Sequence, residues 1–273
     1  MVQPQLGLKL AGVPALYEKM VDRPAFTTED ARQASGQSEE QLFTQLSYLV
    51  REGYLQRVKK RLYVPVPLGQ KGNEVRVNPH VLASKLAPRH SYGEYVLLYH
   101  AALELHGVAH SRFNEVHVGS PHPFKRLDYQ GVSYIHTRIE DSVLQACKKN
   151  FQADGQTVYA SDREWTFAFT VMHPNMAGGL EETLRSLAGF SFMDAARLLD
   201  LGRHFKPACY YNRVGFVLSL FEDRWEVPDL VVEQFKARCR HNTDVYAVEG
   251  GPAQTVSDYN IRVPAGVRKF LET

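Results

Sequence analysis

One segment near the N-terminus restricts the possible folds more than any other part of the chain. A short helix begins there with the capping-box pair Thr27 and Asp30, and a longer helix follows over residues 38–52. The apolar stripe of the longer helix is formed by Leu42, Leu46, Leu49 and Val50. Gly53 stands where a helix C-terminal glycine is expected, and two short apolar runs around residues 58–61 then predict a hairpin. Helices followed by a hairpin in this order are the pattern of a winged helix-turn-helix domain.

Positive charge is concentrated in and behind this hairpin. Residues 51–90 contain nine Lys and Arg but two Asp and Glu, whereas the whole chain has a formal net charge of +2. A basic patch of this kind can neutralise DNA phosphates, which is the sequence-independent part of nucleic-acid binding. Alternatively, charged side chains on a hairpin keep its edge strand soluble and prevent it from pairing with strands of other molecules. Charge alone therefore does not select between the two explanations.

The helix over residues 38–52 would present its polar face to the major groove, because its apolar stripe faces inward. The candidates for DNA contact on this helix and at its start are Gln37, Ser38, Gln41, Thr44, Gln45, Tyr48 and Arg51. Glutamine can bond adenine through two atoms, and arginine can read guanine or bind phosphate. The phosphate-binding candidates on the hairpin are Arg57, Lys59, Lys60 and Arg61. The alternative is that the same helices and hairpin form a protein-interaction module.

Residues 68–90 contain recurring Gly, Asn and Pro, which is typical of a connection between domains. We therefore expect an N-terminal domain over 1–88, including this linker, and a larger C-terminal domain over 89–273. A helix over 93–106 should open the C-terminal part. Its other predicted elements are strands over 113–118 and 156–159, a strand pair over 128–136 that turns at Gln130-Gly131, helices over 162–172, 179–188, 192–202 and 212–221, and an extended, irregular tail over 244–263. The predicted fold class is α+β, with an N-terminal winged helix-turn-helix domain followed by a larger mixed α/β domain.

No catalytic motif stands out in the sequence. The histidines lack the spacing of a metal site, and packed or surface roles account for them. Asp162 and Glu164 would suit a magnesium-dependent nuclease, but capping of the helix over 162–172 by Ser161 and Glu164 explains them as well. Three widely spaced cysteines argue against a disulfide framework or a structural zinc site. We expect no enzyme activity, no catalytic residue, no metal and no cofactor.

The sequence also predicts a cytoplasmic protein without a membrane partner. Its first twenty residues lack the apolar core of a signal peptide, and the chain has no apolar run of about 18 residues that could form a transmembrane helix.

Several stretches, taken in order, resemble the AbiEi-type antitoxin family over roughly residues 10–264. The first is FTTEDARQASGQSEEQLFTQLSYLVREGYLQRVKKRLYVP, which is similar to the N-terminal winged helix of that family. The later stretches are ALELHG, EVHVGS, YQGVSYIH, SDREWTFAFTVMHPNMAGGLEETLRSL, NRVGFVLSLFE and YNIRVP. The tail after Trp225 departs from the family pattern, which leaves its role open.

The resemblance implies a transcriptional repressor that is also the antitoxin of a type IV toxin–antitoxin system acting in abortive infection and phage defence. In such proteins the N-terminal domain binds inverted repeats in its own promoter. The C-terminal domain of such proteins opposes a nucleotidyltransferase toxin without forming a stable complex. Residues 97–263 of this chain are similar to that domain. The basic family residues carry over to Arg51, Arg57, Lys59, Lys60 and Arg61. The alternatives are a free-standing winged-helix regulator without a toxin and a nucleic-acid-processing enzyme of the phage-defence type.

Overall fold

The computed structural model describes residues 14–71, 73–86, 94–205, 209–248 and 250–272. The apolar positions over residues 6–20 fall near a helical period and predict a helix there, but only the part from Ala15 onward belongs to the described residues. The mixture of helices and sheets confirms the α+β class. Among the described residues, no helix has the length and apolar character that crossing a lipid bilayer requires.

The N-terminal elements follow the predicted order. They are α1 Ala15–Met20, β1 Phe26–Thr27, α2 Thr28–Ser35, α3 Glu39–Arg51, β2 Leu55–Lys59 and β3 Leu62–Pro65. The predicted capping box is confirmed, because the Thr27 hydroxyl accepts a hydrogen bond from the Asp30 amide and the Asp30 carboxylate accepts one from the Thr27 amide. The expected helix C-terminal glycine is confirmed as well, because Gly53 is in the left-handed region at φ 75°, and Gly36 after α2 is there too at φ 69°.

A small sheet and three helices enclose the N-terminal core. The strand order is β1-β3-β2, so β3 is the central strand and Pro65 stands at its end. Side chains of α1, α2 and α3 meet the inner face of the sheet in a cluster formed by Leu16, Tyr17, Met20, Phe26, Ala31, Leu42, Leu46, Leu49, Leu55 and Tyr63. The predicted inward stripe of α3 is therefore confirmed, with Val50 half-buried at its margin.

The outer face of the same small sheet packs against the second part of the chain. Leu62 and Val64 alternate with Tyr63 along β3 and join a separate buried cluster that contains Leu97 and Tyr134. The Gln56 side chain also accepts a hydrogen bond from the Val75 amide at 3.3 Å. The hairpin is therefore covered on both faces near its base, and the part left for solvent is its tip.

The second part is built around a mixed sheet. Its strands are β4 Val96–Leu98, β5 Glu115–Ser120, β6 Leu127–Tyr129, β7 Val132–Arg138, β8 Lys148–Ala153 and β9 Gln156–Ser161. Their order is β6-β7-β5-β4-β9-β8, with β5 parallel to β7, β4 parallel to β9 and the other pairs antiparallel. The predicted strands over 113–118 and 156–159 and the turn at Gln130-Gly131 are confirmed, whereas β8 was not predicted.

Helices cover both faces of this sheet. They are α4 Pro79–Ser84, α5 His100–Leu105, α6 Asp141–Cys147, α7 Arg163–Met172, α8 Leu180–Leu187, α9 Ala195–Leu201, α10 Tyr210–Ser219 and α11 Asp229–Arg238. One face, with α4 and part of α5, shares the cluster of the N-terminal hairpin. The other face packs through Val96 and Leu98 against the large cluster formed by α7 to α11. The four helices predicted between 162 and 221 are confirmed with small shifts of their ends.

The prediction of one helix over 93–106 is wrong. Its first half forms β4, and the helix α5 begins only at His100. Val96, Leu97 and Leu98 are buried because β4 lies inside the sheet, between β5 and β9. A continuous apolar run fits a doubly buried strand as well as a helix, and the pairing partners decide between them.

The C-terminal tail is more ordered than predicted. It contains β10 Asp244–Val245, β11 Ala253–Val256 and β12 Ile261–Pro264, which form a three-stranded sheet against the large cluster. The Arg213 guanidinium anchors β10 through two hydrogen bonds to the Asp244 carboxylate at 2.7 and 3.2 Å. The tail therefore belongs to the packed body of the second part.

Candidate nucleic-acid interface

The outward face of α3 is an exposed polar stripe. Ser38 caps the helix by accepting a hydrogen bond from the Gln41 amide at 3.4 Å, while the leucines of the inward stripe hold the helix on the core. The exposed candidates on this helix and at its cap are Ser38, Gln41, Thr44, Tyr48 and Arg51. Four of them recur every three or four residues from Gln41 to Arg51, so they share one side of the helix. This exposed side of α3 is therefore the candidate for insertion into the major groove of DNA.

Two other predicted contacts lie deeper. Gln37 and Gln45 are half-buried, and the side-chain oxygen of each is buried without a hydrogen-bond partner among the described residues. An acceptor in this state is costly, commonly by about 1–3 kcal/mol. Gln37 and Gln45 therefore differ from the exposed residues of α3. A ligand that donated a hydrogen bond to either side-chain oxygen would satisfy an acceptor that has no partner in the protein.

The C-terminal end of α3 carries a small aromatic and charged group. Tyr48 is 43% exposed, and the Arg51 guanidinium lies 5.5 Å from the centre of its ring. Arg51 also donates a hydrogen bond to the Glu52 carboxylate at 3.0 Å. Such an exposed pair is weak, so Arg51 remains available to an anionic partner.

The four basic residues of the hairpin are in two different states. Arg57 and Lys60 are exposed and form no ion pair with any residue that the structure describes. Lys59 is half-buried, with its ammonium 5.7 Å from the centre of the Phe124 ring, and burial lowers its pKa. Two of the predicted phosphate contacts thus point to solvent without a partner, and Lys59 is already in contact with the second part of the chain.

Arg61 is held by the structure in a different way. It occupies the left-handed region at φ 68° in the two-residue turn of the hairpin, and its carbonyl accepts a hydrogen bond from the Thr28 amide at 3.0 Å. Its guanidinium lies 3.6 Å from the Glu39 carboxylate and 5.9 Å from the Phe43 ring centre. Arg61 therefore fastens the hairpin tip to the first turn of α3.

The contact of Glu39 with the hairpin was not predicted from the sequence. The place of Glu39 in the first turn of α3 is explained by the helix dipole, which favours carboxylates there. The sequence contains no signal for its contact with Arg61, because the two residues are brought together only when β3 packs beside α3.

The carboxylates considered for a nuclease are tied up in ion pairs. Asp162, and not Ser161 as predicted, is the N-cap of α7, where it accepts a hydrogen bond from the Trp165 amide at 3.1 Å. Glu164 is buried and pairs with Arg163 at 2.6 Å and with Arg197 at 2.8 Å. Asp162 is bonded to Arg197 as well. Both acidic groups are thus neutralised by arginines in their present positions.

Among the described residues, no cluster of three or more His, Cys, Asp and Glu side chains is arranged to hold a metal. Some histidines, such as His110 and His122, are exposed, whereas others are packed inside the protein. His100 illustrates this, because it is 1% exposed and its ring nitrogens lie 3.6 Å from Glu104 and 3.5 Å from Glu182. Glu104 in turn contacts His80 at 2.8 Å. The imidazoles thus link α4, α5 and α8 through carboxylates.

Comparison with solved structures finds proteins of similar fold. No family model and no curated protein matches the chain. The crystal structure of the RV2827C protein from Mycobacterium tuberculosis superposes with a TM-score of 0.66 at 16% sequence identity. The match covers 95% of this chain and 94% of that chain. It shows that the two proteins share a fold along almost their whole length.

Proposed function

We propose that this protein is a cytoplasmic transcriptional repressor that binds double-stranded DNA through an N-terminal winged helix-turn-helix. In this proposal α3 is the recognition helix and the β2–β3 hairpin is the wing. The wing supplies phosphate contacts that determine affinity and position, and α3 reads base edges in the major groove. The output is repression by occlusion of the protein's own promoter.

The observation that carries the proposal is the exposed polar stripe of α3 beside an exposed basic hairpin tip. Gln41, Thr44 and Tyr48 project from the helix opposite its buried leucines. Lys60 adjoins Arg61, which contacts Glu39 at the start of the same helix, so the basic tip lies next to the stripe. A neighbouring base-reading helix and phosphate-binding tip are what groove recognition requires.

The resemblance to AbiEi-type antitoxins supports a further part of the proposal. On this basis the second part of the chain opposes a nucleotidyltransferase toxin without forming a stable complex with it, in an abortive-infection system. The operator would contain inverted repeats. The candidates Lys59 and Arg61 have a supporting role in this version, since each is engaged inside the protein.

Fluorescence anisotropy with the upstream region of the protein's own gene tests the repressor function. We expect the full chain to bind this duplex about a thousandfold more tightly than a scrambled duplex of equal length at physiological salt. Equal affinity for the two duplexes would reduce the activity to non-specific binding. A lack of binding to both would leave the protein-interaction module as the better explanation.

Co-expression tests the antitoxin part separately. If the gene beside this one encodes a nucleotidyltransferase that arrests growth, the full chain should restore growth while the two proteins elute apart in size-exclusion chromatography. Promoter binding without rescue would identify a free-standing regulator. Magnesium-dependent cleavage of DNA or tRNA by the purified chain would instead favour the nucleic-acid-processing enzyme.

A further inference from the structure

A loop of the second part of the chain lies against the hairpin, on the side away from α3. The Lys59 ammonium, at the end of β2, is 5.7 Å from the centre of the Phe124 ring in this loop. Along β3, Tyr63 packs in the cluster that contains α3, whereas Leu62 and Val64 face the cluster of the second part. The hairpin is therefore enclosed between α3 on one face and the second part of the chain on the other.

Two contacts show how this segment runs along the hairpin. Near the base of the hairpin, the Tyr129 hydroxyl donates a hydrogen bond to the Gln56 side-chain oxygen at 3.4 Å. Near the tip, Phe124 lies beside Lys59, which immediately precedes the two-residue turn. The chain from Phe124 to Tyr129 thus runs from the tip towards the base. Lys125, which follows Phe124, therefore lies level with the tip.

The loop over residues 121–126 is held in place by packing and hydrogen bonds. The Phe124 and His136 rings meet edge to face, with their centres 5.5 Å apart. The Ser120 hydroxyl accepts a hydrogen bond from the His122 amide at 3.2 Å. Two prolines in the loop each fix one backbone dihedral angle. A side chain on this loop therefore has a defined position beside the hairpin tip.

Lys125 is an unpaired cation on this loop. It is exposed and forms no ion pair with any residue in the described ranges. The neighbouring Arg126 is in a different state, because its guanidinium donates hydrogen bonds to the Asp128 carboxylate at 3.1 Å and to the Ser133 hydroxyl at 2.7 Å. Lys125 is therefore available to an anionic partner, while Arg126 is engaged by its neighbours.

The charges around the hairpin tip favour one kind of partner. Arg57 and Lys60 on the hairpin and Lys125 beside it are exposed and have no ion pair within the part of the chain that the structure describes. Positive charges grouped in this way suit a polyanion, and B-DNA carries about one phosphate charge per 1.7 Å of helix axis.

We propose that Lys125 binds a DNA phosphate beyond those bound by the wing, so that the second part of the chain extends the DNA-binding surface. This inference rests on the proposed function, because its ligand is the duplex that α3 and the wing would recognise. Across the surface the order is α3, the wing tip and the loop over 121–126, since the hairpin separates the other two. A duplex with α3 in its major groove therefore presents its backbone to Lys125 at one flank.

Salt titrations of binding to the upstream region of the protein's own gene test the proposal with the full chain. If Lys125 neutralises one phosphate, Lys125→Gln should lower the slope of log K against log salt by about 0.9. Lys125→Arg keeps the charge and should keep the slope.

Lys149→Gln is the matched control, because it makes the same change in net charge at an exposed lysine of the same part of the chain. Lys149 also lies beside a phenylalanine, with its ammonium 5.7 Å from the centre of the Phe151 ring. It belongs to β8, at the edge of the six-stranded sheet opposite β6. The slope of this variant should equal that of the natural protein.

Hydroxyl-radical footprinting of the same complexes locates the contact. Lys125→Gln should lose protection at the flank beyond the wing site and keep protection where α3 binds. A variant that only loosened the fold would instead lose protection over the whole site, which would contradict a phosphate contact by Lys125.

The experiments separate failure of this inference from failure of the proposed function. Suppose that the natural protein binds the duplex and that replacing Arg57 and Lys60 flattens its salt dependence. Equal slopes for Lys125→Gln and Lys149→Gln would then overturn the extended surface and leave the repressor function intact. If the natural protein does not bind the duplex, both the repressor function and the role of Lys125 are wrong.

Discussion

The guanidinium of Arg61 lies 3.6 Å from the carboxylate of Glu39 and joins the hairpin tip to the first turn of α3. The pair spans two elements that are 22 positions apart in the sequence. It neutralises one of the positive charges of the tip and fixes where the remaining ones lie relative to the helix. In the proposed DNA-binding surface, this contact gives Arg61 a positioning role and leaves Arg57 and Lys60 as the hairpin's candidates for phosphate contact.

Glu39→Gln should increase DNA affinity about two- to fivefold, because it removes a carboxylate from the interface and releases Arg61. The substitution should also lower the unfolding free energy by about 0.3–1 kcal/mol through the helix dipole. Anisotropy titrations at fixed low salt measure the affinity. The matched control is Glu40→Gln, which removes a charge from the same helical turn without a partner arginine among the described residues. Equal gains in the two variants would contradict a specific role for the pair.

Replacing both Arg57 and Lys60 by glutamine should flatten the salt dependence of DNA binding. If each exposed cation neutralises one phosphate, the slope of log K against log salt falls by nearly two. The paired control Lys59→Gln with Arg61→Gln changes the same net charge, but we expect a loss of about one or less, since both residues have internal contacts. The salt titration should cover about 50–200 mM. Identical slopes in the two double variants would show that exposure does not select the phosphate contacts.

Gln41→Ala should change sequence preference more than affinity for non-specific DNA. Its amide is exposed at the start of the stripe and suits a bidentate contact with adenine. Losing such a contact costs about 1–3 kcal/mol of discrimination at one base pair. Competition binding with single-base variants of the operator measures this effect. Gln152→Ala, an exposed glutamine on β8, is the control and should preserve the preference at every position.

The unfolding free energy should fall as the pH drops below about 6.5, the ordinary pKa of histidine. Burial lowers the pKa of His117, so the folded state takes up a proton at lower pH than the unfolded state does. The unfolded chain therefore binds more protons in this window, which destabilises the fold on acidification and has no effect at higher pH. His106 and His173, whose pKa values burial also lowers, add to the slope.

Urea unfolding at pH 7 and at pH 5 checks this prediction. His117→Gln should show a smaller difference between the two pH values than the natural protein. His110→Gln, at an exposed position, should keep the full difference. A His117→Gln variant with an unchanged pH difference would rule out this histidine as a source of the acid sensitivity.

Arg197→Ala should destabilise the second part by about 3 kcal/mol, because it leaves the buried Glu164 carboxylate with one arginine in place of two. Adding Glu164→Gln should recover part of this loss, since it removes a buried charge that Arg163 alone then compensates. Denaturant midpoints of both variants measure the coupling, with the exposed Arg224→Ala as control. Additive losses in the double variant would mean that the two residues do not interact.

Local signals in the sequence predicted the N-terminal elements closely. The caps at Thr27 and Ser38 and the turn at Gly53 depend on neighbours within a few residues, so they operate before any tertiary contact forms. The apolar stripe of α3 is likewise a local signal, because its residues recur every three or four positions. Local signals failed over 93–106, where β4 is specified by hydrogen bonds to β5 and β9 rather than by its own residues.

The sequence by itself thus determined the caps of α2 and α3, the inward face of α3 and the candidate side chains for the proposed DNA-binding surface. Only the tertiary structure decided which of these side chains are free. Lys59 is half-buried beside the Phe124 ring and Arg61 is paired with Glu39, and neither partner is a near neighbour along the chain. The position of Lys125 level with the hairpin tip was likewise not predicted, because it arises where a loop of the second part packs beside β2. Whether a charged side chain is available to a ligand depends on the residues packed beside it. Those residues come from distant parts of the sequence, so the tertiary structure decides.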